Sequence, residues 1–180
     1  MFYKWDTPIP KEHCEFLISF YEKKGKYSDA KTCTNEETTP IIRKAQLKWL
    51  DTDELIVRAM RDYTLEANSV YFKYEITGHE LTQFGKYENS DHYSWHKDSI
   101  GVKEKSINGH RKLTTSILLS DPTNYEGGVF EFYGGDETII PEISQGTVFV
   151  FDSQDWHRVS PVISGVRYSI TQWSTGPQLK

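Results

Sequence analysis

Cysteine is scarce in this chain of 180 residues: only Cys14 and Cys33 are present. Two thiols build neither a disulfide framework nor a thiolate metal site, so both read as free. Also missing is any apolar run near the roughly 20 residues that cross a bilayer. Met1-Phe2-Tyr3-Lys4-Trp5-Asp6 lacks the basic-then-apolar order of a signal peptide. An intracellular, cytoplasmic protein with no membrane partner is expected. Nor is there an excess of positive charge, since 21 Lys+Arg stand against 26 Asp+Glu for a net −5. That balance disfavours a nucleic-acid partner. Apolar residues are nevertheless sufficient for a core. Leu, Ile, Val and Phe number 42 of 180 residues, just above the roughly 20% below which disorder prevails. One domain spanning 1–180 is expected, with no repeat, low-complexity tract or linker.

Pro10 opens a stretch, Lys11 to Tyr21, whose apolar residues recur at helical spacing, with Gly25 placed as a C-terminal cap. After a polar, irregular stretch from Tyr27 to Thr39, residues 41–50 read as a strand with a mixed face. Asp51-Thr52-Asp53-Glu54 then starts a second helix, carried to about Asn68 by Leu55, Ala59, Met60, Tyr63 and Ala67. From Val70 the rhythm changes to short segments rich in Tyr, Phe, Val, Ile and Thr. Strands are expected near 70–76, 80–87, 91–97, 112–119, 128–134, 137–140, 147–151, 157–162 and 166–173. The fold class is thus mainly β, a sandwich or jelly roll with two N-terminal helices packed outside: helical support over 1–69 and a β core over 70–175. Ser99 to His110 forms the longest loop of the β region, and a mobile lid or a plain solvated loop would each account for it.

His96 and Asp98 lie two residues apart in Tyr93-Ser94-Trp95-His96-Lys97-Asp98. On a strand they project from one face and can grip one metal ion. His-x-Asp alone is a weak signal. Fifty-eight residues separate Asp98 from His157, which follows the apolar Val148-Phe149-Val150-Phe151 and a short polar turn. Two imidazoles and one carboxylate make the three-sided ligand set of non-haem Fe(II) oxygenases. Zinc competes for the same donors, although the helical His-Glu-x-x-His spacing is absent. Ten residues beyond His157, Arg167 begins a strand whose period of two puts Arg167, Ser169, Thr171 and Trp173 on one face. An inward guanidinium needs an anion: either a dicarboxylate co-substrate or a protein carboxylate such as Glu131. In the strand 112–119, Leu113, Ile117 and Leu119 form an apolar face, while Thr114, Ser116 and Leu118 form a more polar one able to line a cavity. Gly127-Gly128 allows a tight turn or the close approach of another backbone.

From about Arg43 to Trp173 these residues resemble the iron(II)- and 2-oxoglutarate-dependent dioxygenases of the prolyl 4-hydroxylase-like branch. The likeness is densest from Gly146 through Trp173. It extends to Tyr87, Tyr93 and Leu119-Ser120-Asp121-Pro122 leading into Tyr125-Glu126-Gly127-Gly128. The resemblance implies a double-stranded β-helix, a distorted jelly roll, holding Fe(II) on His96, Asp98 and His157. It implies that Arg167 binds the distal carboxylate of 2-oxoglutarate, that Tyr87, Thr114 and Thr171 line the co-substrate pocket, and that Thr171 and Trp173 close its rim. Where some relatives carry a tyrosine this chain has Leu118, so the bonding around that carboxylate differs. O2 as co-substrate and ascorbate as reductant are implied too, with release of succinate and CO2. The implied substrate is a prolyl residue in a peptide or protein, for which Tyr93, Trp156 and Trp173 could supply aromatic contacts. A free amino acid, or a non-catalytic jelly-roll binding module, are the alternatives.

Overall fold

The computed structural model describes residues 2–30, 42–99 and 109–178. The long helices among the described residues are α1 (Lys11–Lys23) and α2 (Leu55–Ala67). Pro10 precedes α1 with its fixed backbone angle, and Gly25 follows at φ +67, a left-handed turn that glycine adopts without steric cost. Cys14 and Tyr21 of α1, with Val57 and Met60 of α2, are buried in one cluster with Phe84, Ile117, Leu119, Val148 and Ile170. Burial pushes the Cys14 thiol up to about 11, which leaves it inert at neutral pH. No helix of the described residues is long and apolar enough to cross a membrane.

The strands in chain order are β1 (Phe2–Trp5), β2 (Ser28–Asp29), β3 (Arg43–Lys44), β4 (Gln46–Leu50), β5 (Gly78–His79), β6 (Thr82–Tyr87), β7 (His92–His96), β8 (His110–Leu118), β9 (Tyr125–Gly127), β10 (Phe130–Tyr133), β11 (Thr138–Ile139), β12 (Val148–Asp152), β13 (His157–Val159), β14 (Val162–Gly165) and β15 (Arg167–Gly176). The large sheet runs β1-β12-β8-β15-β6-β4-β2, with β5 also beside β15. The small sheet runs β11-β10-β13-β7-β3, and β14 pairs with β9. Every pairing is antiparallel. The inner faces meet through aromatic rings: Phe130 and Phe132 of the small sheet lie 4.9 and 5.2 Å, centroid to centroid, from Phe149 and Phe151 of the large one. Such edge-on contacts suit ring quadrupoles and fill the space between the sheets at one end. Polar side chains line the cavity beside them.

Several local expectations need correction. Residues 70–76 form no strand: a π-helical turn, Asn68–Phe72, extends α2, and Lys73 ends it in the left-handed region. β-branched and aromatic residues there satisfied a strand pattern, but Tyr74 and Ile76 pack as single residues beside Ala67, Leu113 and Val150. The opposite error occurs at Phe2–Trp5, part of the expected helical support, which pairs with β12 as the edge of the large sheet. The strand expected over 157–162 breaks at Ser160-Pro161, since proline cannot donate to a ladder, and it resumes as β14. Residues 100–108 of the expected lid, and Cys33, lie outside the described residues.

Candidate metal centre

In the pairing of β7 with β13, His96 stands directly opposite His157. Their rings are therefore neighbours, with centroids 4.1 Å apart. Asp98 follows just beyond the end of β7. Its Oδ1 lies 3.5 Å from His96 Nε2 and its Oδ2 lies 3.5 Å from His157 Nε2. All three ligand atoms fall within 4.8 Å of one another. Each imidazole is set by a backbone carbonyl two residues earlier: His96 Nδ1 donates to Ser94 O at 2.8 Å, and His157 Nδ1 donates to Asp155 O at 2.9 Å. A carbonyl can only accept, so each Nδ1 carries a proton, and in the neutral ring that leaves Nε2, beside the Asp98 carboxylate, as the nitrogen able to ligate a metal.

Two imidazole nitrogens and a carboxylate converge on one point inside the protein, a donor set that could hold a metal cation. Burial pushes His157 down to about 4 despite the pull of Asp98, so its imidazole is neutral at pH 7. Burial alone would raise the Asp98 carboxyl. His157 and His96, with Arg111, outweigh burial and hold the carboxyl well below the usual carboxylate range. Thr114 Oγ1 donates to Asp98 Oδ2 at 2.7 Å, which leaves the second carboxylate oxygen unshared with it. Two imidazoles and one carboxylate on a single side suit a first-row divalent ion with open positions opposite. Aromatic packing keeps the ligands rigid: Tyr93 stacks on His96 at 3.4 Å between centroids, and Phe151 meets His157 edge-on at 4.7 Å.

A small pocket opens from this cluster between the sheets. Arg167 lies in it and is only 2% exposed. Its Nη1 donates to Ser169 Oγ at 3.1 Å, and its Nε has no partner. Among the described residues no carboxylate pairs with it. Glu131, the protein acid that could have done so, is taken by Arg158 through contacts of 2.5 and 3.1 Å. The Arg167 stem presses on Gly128, where a Cβ would meet its Cδ at 3.0 Å. Gly128 has φ +58, so both its conformation and the close approach need glycine.

A sequence model of the 2OG-Fe(II) oxygenase superfamily matches residues 82–175, just over half of the chain. The match takes in His96, Asp98, His157 and Arg167. The chain belongs to this superfamily. It is 38% identical over 82 residues to a PKHD-type hydroxylase of Synechococcus sp. (strain CC9605), covering 45% of this chain and 35% of that protein. To the PKHD-type hydroxylase YbiX of Escherichia coli it is 26% identical over 160 residues, covering 84% and 68%. Among solved structures, a Pseudomonas putida prolyl-4-hydroxylase superposes with TM-score 0.76 at 18% identity, over 98% of this chain and 93% of that one. A Trichoplax adhaerens prolyl hydroxylase, in complex with a hypoxia inducible factor peptide fragment, gives 0.71 at 19% identity, over 97% and 83%. At such identities the likeness is one of fold.

In this 2OG-Fe(II) oxygenase the pocket walls include Tyr87, Tyr93, Thr114, Ser116, Thr171 and Trp173, all singled out from the sequence. The alternating face of β15 is visible directly, because Arg167, Ser169, Thr171 and Trp173 all line the pocket. Leu113 and Ile117 turn to the opposite core, as their spacing requires. Trp156 stands apart from these pocket walls. It is 41% exposed and lines a separate aromatic surface with Trp95 and Tyr133. As the residue before His157 it points away from the metal cluster, by the same alternation that turns His157 inward.

Other pocket residues of the oxygenase had no local signal. Arg43 and Gln83 enter from β3 and β6. Arg111, which stacks 4.0 Å over Trp173, is paired to Glu80 at 2.5 Å and donates to the Asp98 backbone carbonyl at 3.3 Å. These residues are isolated polar side chains in otherwise ordinary strands. Only pairings between strands far apart in the chain bring them to the site.

Proposed function

We propose that this oxygenase hydroxylates a prolyl residue in a peptide or protein, consuming 2-oxoglutarate and O2 and releasing succinate and CO2. His96, Asp98 and His157 would hold Fe(II), which when bound supplies the oxygen activation and the oxidising power for the C–H bond. Arg167 would take the distal carboxylate of 2-oxoglutarate in a two-pronged, charge-assisted contact. Ser169, Tyr87 and Thr171 border that end of the pocket, and Thr114 fixes the Asp98 carboxylate. Burial of the pocket excludes water from the reacting groups. On this reading the scaffold is a distorted jelly roll forming one domain, with α1 and α2 buttressing the outside of the large sheet.

The observation that carries the reading is Arg167: a buried guanidinium without a protein acid, in the pocket that opens from two imidazoles and a carboxylate. A zinc hydrolase would need the three ligands but not the arginine. A peptide substrate is supported by the Trichoplax neighbour, whose structure contains one. Tyr93 and Trp173, and at the margin Trp156, would offer aromatic contacts to an extended proline-containing segment. The test is incubation with Fe(II), 2-oxoglutarate, ascorbate as reductant and proline-containing peptides. Succinate release with a one-oxygen mass gain on proline is the expected result. Succinate without peptide oxidation would move the substrate to a free amino acid or other small molecule. No 2-oxoglutarate turnover would refute the activity.

A further inference from the structure

Arg167 is not the only unanswered cation in the pocket. Arg43 is 8% exposed, donates from Nη2 to Gln83 Oε1 at 3.1 Å, and leaves Nε without a partner. Its guanidinium lies 4.4 Å over the ring of Tyr93. Gln83 and Tyr93, with Tyr87, to which Arg43 also hydrogen-bonds, are neutral contacts. Among the described residues no carboxylate lies within ion-pair reach of Arg43. Asp98 is the acid whose field reaches it, and Asp98 is already held between two imidazoles and Thr114. Burial opposes that charge and Tyr87, Tyr93 and the field of Asp98 support it, but no carboxylate among the described residues meets the guanidinium directly.

Position narrows what that anion is. Arg43 stands opposite Tyr93 in the pairing of β3 with β7, and the Tyr93 ring stacks on His96. The guanidinium therefore reaches the pocket on the small-sheet side, close to the metal cluster. Arg167 approaches from β15 in the large sheet. 2-Oxoglutarate carries two carboxylates, and the reading above uses one on Arg167 and the other beside the metal. Formal charge then cancels: a divalent metal and Arg167 balance Asp98 and the co-substrate dianion. Arg43 leaves one positive charge over, in a space from which water is largely excluded. Trp173 Nε1, also buried and without a partner, lines the same pocket.

We propose that Arg43 receives a carboxylate of the primary substrate, so that the oxidised molecule carries an anionic group within reach of the metal. This rests on the assignment of Arg167 to the co-substrate. The carboxylate could belong to the oxidised residue itself, as at a chain terminus, or to an acidic side chain beside it. Either source meets the guanidinium through the same charge-assisted hydrogen bonds.

The test is a binding titration, read by intrinsic tryptophan fluorescence, on protein loaded with Mn(II) and saturated with 2-oxoglutarate. Three probes are used: N-acetyl-L-proline, its neutral amide, and N-acetyl-L-aspartyl-L-prolinamide. At least one carboxylate probe is expected to bind roughly tenfold or more tightly than the neutral amide. Which one does so identifies the source of the carboxylate. Arg43→Gln abolishes the preference, while Arg43→Lys, retaining charge without the fork, keeps about threefold of it. Both variants should bind 2-oxoglutarate within about threefold of the parent, which marks them as folded with the Arg167 end intact. Equal affinity for charged and neutral probes in the parent, including no saturation by any of them, overturns the proposal. So does a preference that survives Arg43→Gln. A loss of 2-oxoglutarate affinity in that variant as deep as in Arg167→Met would assign Arg43 to the co-substrate instead. Failure of the hydroxylase reading is seen separately, as absence of succinate from the Fe(II)-loaded parent.

Discussion

Replacing Arg167 by methionine should push stability and co-substrate affinity in opposite directions. In the ligand-free protein the guanidinium is 2% exposed, makes one hydrogen bond to Ser169 and leaves Nε unpaired, with no carboxylate partner among the described residues. A buried polar group without a partner costs about 1–3 kcal/mol, and more when charged. Methionine keeps most of the aliphatic stem that packs on Gly128 and removes the charge. The variant without ligand should therefore gain about 1–3 kcal/mol, or several degrees in Tm at roughly 2–4 °C per kcal/mol for a chain of this size. With 2-oxoglutarate the balance reverses, because its distal carboxylate would be buried without a counter-charge. Breaking such a pair costs about 3–5 kcal/mol, a weakening on the order of several hundred- to several thousand-fold. Differential scanning calorimetry of the metal-free protein gives the first number. Isothermal titration of the Mn(II)-loaded protein with 2-oxoglutarate gives the second. A variant that melts lower than its parent yet binds 2-oxoglutarate within about fivefold would refute the reasoning.

Replacing His96 or Asp98 by alanine should lower Mn(II) affinity about 100-fold or more and abolish turnover, with the far-UV circular dichroism unchanged; tight Mn(II) binding in either variant would remove that residue from the ligand set. The metal-free protein should lose stability as pH falls from about 6.5 toward 4, because His157 takes up its proton near 4 when folded but near 6.5 when unfolded. Protons then bind the unfolded chain first, a loss on the order of 3 kcal/mol at pH 4. Asp98 adds in the same direction: its carboxyl is held low, so its contribution is present above the usual carboxylate range and disappears below it. Urea unfolding in EDTA at pH 7 and pH 4.5 measures the slope, and His157→Gln should flatten it. Gly128→Ala should destabilise by about 1–2 kcal/mol, through its positive φ and the contact with Arg167, and should weaken 2-oxoglutarate binding. Unchanged binding would show that Arg167 tolerates displacement.

Reading the chain residue by residue works wherever a rule of spacing acts locally. His96 and Asp98 are two apart, and that spacing predicts one side for both; it holds although Asp98 lies just beyond the end of β7. The same rule puts Arg167, Ser169, Thr171 and Trp173 on one wall. It fails where a short segment satisfies two patterns. Val70-Tyr71-Phe72 has strand composition but continues α2 as a π-helical turn, and the polar face of Phe2–Trp5 hides its pairing with β12. Trp156, expected as an aromatic contact for the substrate, lies on a separate surface with Trp95 and Tyr133, a grouping that its position in the chain does not encode. The likeness of the chain from Arg43 to Trp173 to its superfamily implied the co-substrate and the role proposed for Arg167, which spacing alone left open between a dicarboxylate and Glu131.

Composition and periodicity were enough for a mainly β chain with two helices and a ligand set of two histidines and an aspartate, because side-chain direction along a strand or helix follows from backbone geometry within a few residues. The charge balance of the pocket is of another kind. That Glu131 belongs to Arg158, that Arg167 has no acid, and that Arg43 arrives beside Tyr93 all follow from strand pairings between residues tens of positions apart. Electrostatic energy depends on distance in space, and no local pattern in a chain encodes which distant charge will stand across a cavity.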